Sequence, residues 1–431
     1  MPNRINNSMH HNENLEVGNS DKITKKNWFY LFSANFFGIL NDNFMKHCIV
    51  FVAVAWSLPA WMTQAQLIAT VAAALVLPYI FFSPLSGKIT LLYSKHKIFK
   101  ICKLLEFPRV ILAGLGFIYE NITIVLSSVL LMGIQSCMYS PSKYGLIRDI
   151  GGVEKISFGN GMFETMSFLA ILVGTCLAAW LSDHYNSLII SLLMLLFAAI
   201  AYFLCRSIHV TEEALDTDNI GTANPFKFLI NNYHYASKHP NVNAGVLGVA
   251  VFWMIGGILQ SNLILHCTHT LGHSNTAAGI VMALAAIGIA SGCTLCGKLC
   301  SYYQHKTLIT IGLTVVILCL SIIVITNPDI YICSLLIFLT AAFAGCLEVP
   351  CLSMIQQAET GCKNGDMLAY MNLISFVFIL IGSGLFSIIN KISKDNSVMV
   401  FVLVIVIAII TLLYFQMRKT KTTSDFQKEN T

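Results

Sequence analysis

Long apolar runs recur along the chain, separated by short polar connections. A helix crosses the hydrocarbon core of a bilayer with about 20 apolar residues. Twelve segments reach this length: 28–56, 66–86, 98–118, 122–140, 160–181, 187–205, 243–266, 274–296, 307–326, 330–350, 367–389 and 397–416. Most connections are so short that neighbouring spans must run antiparallel. The pattern therefore predicts an all-α polytopic membrane protein with twelve transmembrane helices.

Polar stretches mark the parts that we expect outside the membrane. Residues 1–27 contain Asn, His and Glu but no apolar core of a signal peptide, so they predict a disordered tail. Residues 417–431 predict a second tail. Residues 206–242 form the one long connection, and apolar side chains recur there at helical spacing: Phe226, Leu229, Ile230 and Tyr233. This spacing predicts an amphipathic helix, either at the membrane surface or as a plain linker.

The composition excludes several classes of soluble protein. Charged residues make up 11% of the 431 residues and hydrophobic residues 56%, whereas soluble domains average about 25% and 45–50%. A cytosolic enzyme, a nucleic-acid binder and a disordered protein are therefore excluded. The spacing of Cys293, Cys296 and Cys300 lacks the second ligand pair of a zinc site. We expect these thiols to pack in the core, and we expect no metal and no cofactor.

The basic residues indicate the orientation of the chain. Of the 26 Lys and Arg residues, 22 lie on the side of the predicted membrane that holds both termini. Only Lys391 and Lys394 lie on the opposite side, while Lys46 and Arg109 fall within spans. Because basic residues accumulate on the cytoplasmic side of membrane proteins, we expect both termini in the cytoplasm. The net charge of +5 then reflects topology and indicates no nucleic-acid partner.

The two parts of the chain repeat one another. Residues 38–47 (GILNDNFMKH) match residues 257–266 (GILQSNLILH) at five of ten positions without a gap. Two weaker matches follow in the same order: 87–97 with 297–306, and Pro141 with Pro350. Parallel repeats six spans apart predict two six-helix halves, 28–205 and 243–416. This is the layout of major facilitator transporters, whose substrate cavity lies between the halves.

Ionisable side chains inside the spans are the candidate functional residues, because each costs about 2.5–3.5 kcal/mol to insert. In span 1, Asp42 and Lys46 lie on one helix face, which Asn35 shares, and Asn43 follows Asp42. These residues predict either a substrate or coupling site, or an Asp42–Lys46 ion pair that only stabilises the bundle. The repeat keeps Asn43 as Asn262 but has no acid opposite Asp42, so we favour a functional role for Asp42.

Spans 3 and 4 supply further candidates. Glu106 and Arg109 are three residues apart and predict a structural ion pair more than a substrate contact. Near the end of span 4, Pro141 removes a backbone donor and loosens the helix. Tyr139 and Lys143 then lie beside the freed carbonyls. This context favours a substrate contact for Lys143 over an ordinary lysine at the membrane boundary.

Spans 5 and 10 contribute carboxylates. Glu164 lies about a turn inside span 5, and Asn372 is its counterpart in the repeat. Glu348 near the end of span 10 predicts either a further site residue or a carboxylate with its head in water. No Ser-His-Asp set, phosphate-binding loop or metal motif stands out, so we expect a protein that is not an enzyme.

Four stretches together resemble the lysophospholipid transporter (LplT-like) family of the major facilitator superfamily: 36–47 (FFGILNDNFMKH), 77–88 (LPYIFFSPLSGK), 139–147 (YSPSKYGLI) and 159–174 (GNGMFETMSFLAILVG). The resemblance covers roughly residues 28–416. It implies alternating-access transport of lysophospholipids across the bacterial inner membrane to the cytoplasmic leaflet. An acyltransferase/acyl-carrier-protein synthetase re-acylates them there. We expect this enzyme to be a separate partner, because only fifteen residues follow the last predicted span.

The resemblance assigns roles to individual residues. The family's membrane-embedded acid falls on Asp42, the lysine of its YSP-x-KYG motif on Lys143, and the glutamate of its span 5 motif on Glu164.

Two positions depart from the family pattern. Gln260 replaces an arginine that some members carry in span 7, which weakens the case for a phosphate grip in the second half. Gly87 and Lys88 keep the start of the loop motif that gates major facilitators, but Leu91 replaces its usual aspartate. We therefore expect the gating contact to be made otherwise or to be missing.

Three functions agree with these features. The first is a lysophospholipid flippase. The second is an exporter of drugs or amphipathic metabolites on the same fold, in which Asp42 carries a proton. The third is a non-transporting membrane scaffold for an acyltransferase. Charges within the membrane argue against the third function, and the motifs favour the first over the second.

Overall fold

The computed structural model is built from α-helices. It describes residues 3–52, 56, 58, 62–212, 222–358, 360, 363–394 and 396–418, with side chains from residue 24 onward except at 64, 65 and 68. These residues form thirteen α-helices: α1 (Asn3–Val52), α2 (Gln64–Leu92), α3 (Lys95–Ile118), α4 (Ile122–Gly151), α5 (Ile156–Asp183), α6 (Ser187–Arg206), α7 (Pro225–Lys238), α8 (Pro240–Leu265), α9 (Asn275–Leu299), α10 (His305–Thr326), α11 (Ile330–Gln357), α12 (Asn364–Ser393) and α13 (Ser397–Met417).

Ten of these helices are long and apolar enough to cross a membrane. The three that do not meet this criterion are α1, α3 and α7. Both α1 and α3 carry several charged residues within their length, which lowers their mean hydropathy. Helix α7 is only 14 residues long.

Helix α1 begins earlier than the sequence predicted. It is 50 residues long, or about 75 Å, which is more than twice the thickness of a hydrocarbon core of about 30 Å. The segment 3–27, for which we predicted a disordered tail, is therefore helical in the structure. No proline interrupts it, so the helix that packs in the bundle from Trp28 onward continues towards the N-terminus.

Short polar side chains start most of the helices. Asn121, Asn186 and Asn396 accept hydrogen bonds from the first backbone N–H groups of α4, α6 and α13. Asn224 does the same for α7, the predicted amphipathic helix, which then begins with Pro225. On α7 an exposed apolar stripe is formed by Phe226, Ile230 and Tyr233. Its position at a membrane surface stays a prediction.

Helix packing within the first six helices recurs in the last six. Helix α1 packs on α5 and α6, α2 packs on α4, and α3 packs on α4 and α6. Correspondingly, α8 packs on α12 and α13, α9 packs on α11, and α10 packs on α11 and α13. The two sets meet chiefly where α2 contacts α12 and where α5 contacts α9.

The contacts between the two sets gather at one end of the bundle. We call it the basic end: it holds the connections 92–95, 151–156, 206–225, 299–305 and 357–364, and the opposite end is called the far end. There Gly161 of α5 packs on Gly297 of α9, and a Cβ on Gly297 would lie 3.0 Å from the Gly161 Cα. Gly87 of α2 packs on Ala369 of α12, with 3.3 Å between a Cβ on Gly87 and the Ala369 Cβ. We call these two contacts the glycine crossings.

Candidate functional site

A network of buried charges joins α1 to α3. The Arg109 guanidinium lies 2.8 Å from an Asp42 oxygen and 3.2 Å from Glu106 Oε1. Lys103 Nζ lies 2.9 Å from Glu106 Oε2, and the Asn41 amide donates to Glu106 Oε1 at 2.9 Å. The four ionic side chains carry two positive and two negative charges. The α1–α3 charge network is thus neutral as a whole, which lowers the cost of placing it within a bundle.

The predicted Glu106–Arg109 pair is confirmed, whereas the predicted alternative of an Asp42–Lys46 pair is wrong. Lys46 Nζ instead donates to Asn43 Oδ1 at 3.0 Å. The reason is that α3 lies beside α1 and presents its guanidinium to Asp42, a tertiary contact that one helix face cannot reveal. About a fifth of the Asp42 side chain remains exposed, so this carboxylate stays accessible within the bundle.

Lys143 of α4 lies among aromatic rings. Its Nζ is 5.1 Å from the ring centroid of Tyr144, 5.3 Å from that of Tyr139 and 5.4 Å from that of Phe163. No carboxylate of the described residues lies within 4.0 Å of this ammonium. Helix α4 continues through Pro141 without a break, from Ile122 to Gly151. The carbonyl of Cys137, which Pro141 leaves without its backbone donor, accepts from Ser86 Oγ at 2.8 Å, so the predicted loosening does not break α4. Lys143 lacks an ionic partner among these residues.

Two carboxylates face the space between the two sets of helices. Glu164 of α5 accepts a hydrogen bond from the Tyr144 hydroxyl at 2.8 Å. Glu348 of α11 is only 1% exposed and lies beside the indole of Trp253 in α8. The alternative of a water-facing Glu348 head is therefore wrong. Its Oε2 has no hydrogen-bond partner among the described residues.

Amide side chains join the helix sets near the basic end. The Asn160 amide of α5 donates to Ser353 Oγ at 3.2 Å, and Gln356 donates to Asn160 Oδ1 at 3.1 Å. The Asn372 amide of α12 donates to Ser140 Oγ of α4 at 3.0 Å. These bonds hold α5 to α11 and α12 to α4. Asn372 thus lies at the contact between the sets, and a gating role for it stays a prediction.

Three other predicted residues have their contacts within one set of helices or are exposed. The Asn262 amide donates to the Ser397 carbonyl at 3.0 Å and so fixes α8 to the start of α13 at the far end. Gln260 is exposed on α8. Asn35 donates to Ser167 Oγ at 3.0 Å, which joins α1 to α5. The structure therefore brings Asp42, Lys143, Glu164 and Glu348 to the interior. Asn262 and Asn35 instead form contacts within one set of helices, and Gln260 is exposed.

The loop motif has a contact that the sequence did not reveal. Gly87 packs against the Asp366 carboxylate of α12, and Leu91, at the position of the usual aspartate, is buried. Lys88 is half-buried. The carboxylate at this crossing therefore belongs to α12 instead of α2. Asp366 Oδ1 has no hydrogen-bond partner among the described residues, so the expectation that the gating contact is made otherwise or is missing stays a prediction.

Sequence reasoning missed several interior residues. Lys103 was assigned to the basic end, yet it is buried in the charge network. Its spacing of three residues from Glu106 is the signal that could have found it. Tyr144 and Trp253 carried no such signal. Cys293 and Cys296 are buried in helix packing, as we expected, and the described residues contain no cluster of His, Cys, Asp and Glu suited to a metal.

The sequence profile of the Major Facilitator Superfamily matches two overlapping regions, residues 31–383 and 246–430. The chain belongs to the Major Facilitator Superfamily. It is therefore a multi-pass membrane transporter and not an enzyme.

Several named proteins that are similar to this major facilitator are lysophospholipid transporters. It is 23% identical over 369 residues to the lysophospholipid transporter LplT of Pectobacterium carotovorum, covering 83% of this chain and 85% of that one. It is 24% identical over 377 residues to LplT of Photorhabdus laumondii, covering 83% and 87%. These relatives confirm the predicted resemblance to the LplT-like family.

Solved structures show the same fold. A bacterial homologue of the iron transporter ferroportin, in an outward-facing state, superimposes with a TM-score of 0.70 at 14% identity, covering 91% of this chain and 100% of that one. The transporter FucP in the outward conformation superimposes with a TM-score of 0.69 at 14% identity, covering 91% and 99%.

Proposed function

We propose that this transporter moves lysophospholipids across the bacterial inner membrane to the cytoplasmic leaflet by alternating access. The observation that carries the proposal is the charge pattern of the interior. Lys143 offers an ammonium with no ionic partner among the described residues, and Glu348 offers a carboxylate oxygen without a partner. A zwitterionic lysolipid headgroup has a phosphate for the first and an ammonium for the second. The names of the LplT relatives support the same substrate class.

Twelve spans in two six-helix halves are the architecture that best explains the fold. Helices α1 and α3 are long enough to span the membrane and differ from the other ten by the charged residues they carry. Asp42, Lys103, Glu106 and Arg109 among these neutralise one another in the charge network. Counting them gives twelve spanning helices, with α7 as the link between the halves. The recurrence of the helix pairs in both sets supports a duplicated unit.

The positions of the contacts support an outward-open state. Basic residues accumulate at the basic end, so we place this end and both termini in the cytoplasm. The glycine crossings and the amide bonds of Asn160 and Asn372 close the bundle there. A lysolipid from the outer leaflet then enters from the far end. Release inward requires these contacts to separate.

The acyl tail and the partner enzyme complete the proposal. We propose that the single acyl tail of a lysolipid contacts apolar side chains of the two helix sets, such as Phe168 and Phe376. In this state these two rings pack on Phe252 and Tyr79 of the opposite set. We propose that re-acylation is performed by a separate acyltransferase/acyl-carrier-protein synthetase. A lysolipid presented to such an enzyme must arrive with its headgroup in the inner leaflet.

Uptake of labelled lysophosphatidylethanolamine into proteoliposomes tests the proposal. We expect the wild-type protein to exceed empty vesicles, and Asp42→Asn and Lys143→Gln to lower uptake at least about tenfold, because each removes a charge-assisted contact. Asp183→Asn, which changes an exposed carboxylate at the end of α5, is the matched control and should keep wild-type uptake.

Two results would contradict the proposal. Uptake by the wild type no faster than by empty vesicles excludes lysolipid transport. If uptake is inhibited by amphipathic cationic drugs, and these drugs but not the lysolipid are transported, the drug exporter is the correct function. Equal uptake by wild type and Asp42→Asn removes only the role of Asp42.

A further inference from the structure

A basic cavity lies at the basic end, outside the space between the helix sets. It has a volume of about 350 Å³ and is lined by the first turns of α3 and by the segment after α6. Its walls include four basic or titratable side chains: His96, Lys100, Arg206 and His209. The volume is about ten times the share of one water molecule in the liquid, so it accommodates a phosphate group.

The cations of this cavity are not neutralised by the described protein. Neither Lys100 nor Arg206 has a carboxylate within 4.0 Å among these residues. Glu212 is the nearest described acid in sequence, but its two oxygens accept hydrogen bonds from the backbone N–H groups of Lys95 and His96. The acid therefore caps the N-terminus of α3 and forms no ion pair with Lys100 or Arg206 in the described part of the chain.

Both histidines are oriented by the backbone. A ring nitrogen of His96 (Nε2) lies 3.1 Å from the Cys205 carbonyl, and His209 Nδ1 lies 2.9 Å from the Ser207 carbonyl. Each of these nitrogens donates to its carbonyl oxygen. The second nitrogen of each ring has no hydrogen-bond partner among the described residues.

The surface beside the cavity is apolar. Helices α3 and α6 pack together, and within about a turn of Lys100 and Arg206 they expose Ile101, Leu104 and Phe203. On a membrane protein such side chains face acyl chains. The basic cavity thus lies at the end of the bundle, and the apolar surface follows it towards the middle. This order matches that of a lipid, in which the charged headgroup is followed by the acyl chains.

We propose that the cavity of His96, Lys100, Arg206 and His209 binds the phosphate of an anionic phospholipid in the leaflet at the basic end. The chemistry is that of a phosphate ester held by Lys and Arg, and the exposed side chains of α3 and α6 favour a lipid over free phosphate. This site is distinct from the interior that the substrate enters. Lipid bound there ties the start of α3, which carries the charge network, to the end of α6.

Thermal unfolding of the purified full-length protein in detergent tests this site. We expect added phosphatidylglycerol to raise the unfolding temperature, and phosphatidylcholine or inorganic phosphate at the same concentration to have a smaller effect. In Lys100→Gln/Arg206→Gln, the half-maximal phosphatidylglycerol concentration should rise about tenfold or more. The control Lys227→Gln/Lys238→Gln removes the same charge from exposed positions of α7 and should respond as the wild type does.

Three outcomes would overturn the proposal. Equal weakening in both double variants indicates a general attraction of basic protein to anionic lipid. An effect of inorganic phosphate as large as that of phosphatidylglycerol indicates a soluble anion. No effect of phosphatidylglycerol on the wild type shows that no such lipid binds.

Discussion

At the scale of single residues, the charge network shows why ions occur within this bundle. Lys103 and Arg109 contact Glu106, and Arg109 also contacts Asp42, so each charge has an opposite neighbour. Removing one member leaves a buried charge uncompensated, whereas removing an opposite pair keeps the balance. Asp42 therefore has a structural contact as well as an accessible surface, and these two roles need separate tests.

Stability measurements on charge variants separate the two roles. We expect Arg109→Gln to lower the free energy of unfolding by about 3–5 kcal/mol, because Asp42 loses its ionic partner. The double variant Asp42→Asn/Arg109→Gln should recover most of this loss in chemical unfolding of the purified protein, yet remain defective in lysolipid uptake. Additive losses in the two single variants would show that the pair is not coupled.

At the scale of helices, the closed end depends on close approach of backbones. A Cβ on Gly297 would lie 2.9 Å from the Ser157 carbonyl oxygen, so no larger residue fits unless α5 and α9 separate. The match between 87–97 and 297–306 places Gly87 and Gly297 at equivalent positions of the repeat. Both glycine crossings thus involve the same glycine of the repeated segment. The sequence contains this repeat but does not show what the glycine packs against.

Substitution at a glycine crossing should weaken the closed end. We expect Gly297→Ala to lower stability by about 1–3 kcal/mol, because the added methyl group overlaps the α5 backbone. Gly279→Ala on the same helix meets nothing within 4 Å and should be neutral or slightly stabilising. Thermal unfolding of the two purified variants measures the difference. An equal response of both would show that α9 is not tightly packed at Gly297.

At the scale of the whole molecule, the orientation of the chain in the membrane determines whether its conformation is described as outward-open or inward-open. The two helix sets contact one another near the basic end, and we propose from the charge distribution that this end lies in the cytoplasm. If the orientation were reversed, the same contacts would describe an inward-open transporter. The direction of the proposed lysolipid movement therefore depends on the topology as much as on the interior site.

Labelling with a membrane-impermeant maleimide in intact spheroplasts tests the topology. Tyr331 at the far end and Tyr302 at the basic end are both highly exposed, at 83% and 81%. We expect Tyr331→Cys to label in intact cells, and Tyr302→Cys only after permeabilisation, each measured above the parent protein. Tyr302→Cys labelling in intact cells would reverse the proposed orientation.

The sequence by itself determined the helical class, the membrane environment and the family, because these depend on apolar run length, charge distribution and short motifs. It also identified Asp42, Lys143 and Glu164 as unusual, since any ionisable residue in an apolar run is conspicuous. Only the tertiary structure decided the partners. That Asp42 meets Arg109, and that Glu348 is buried beside Trp253, depends on which helices are neighbours. Periodicity along one helix fixes a face, but the residue opposite that face comes from another part of the chain.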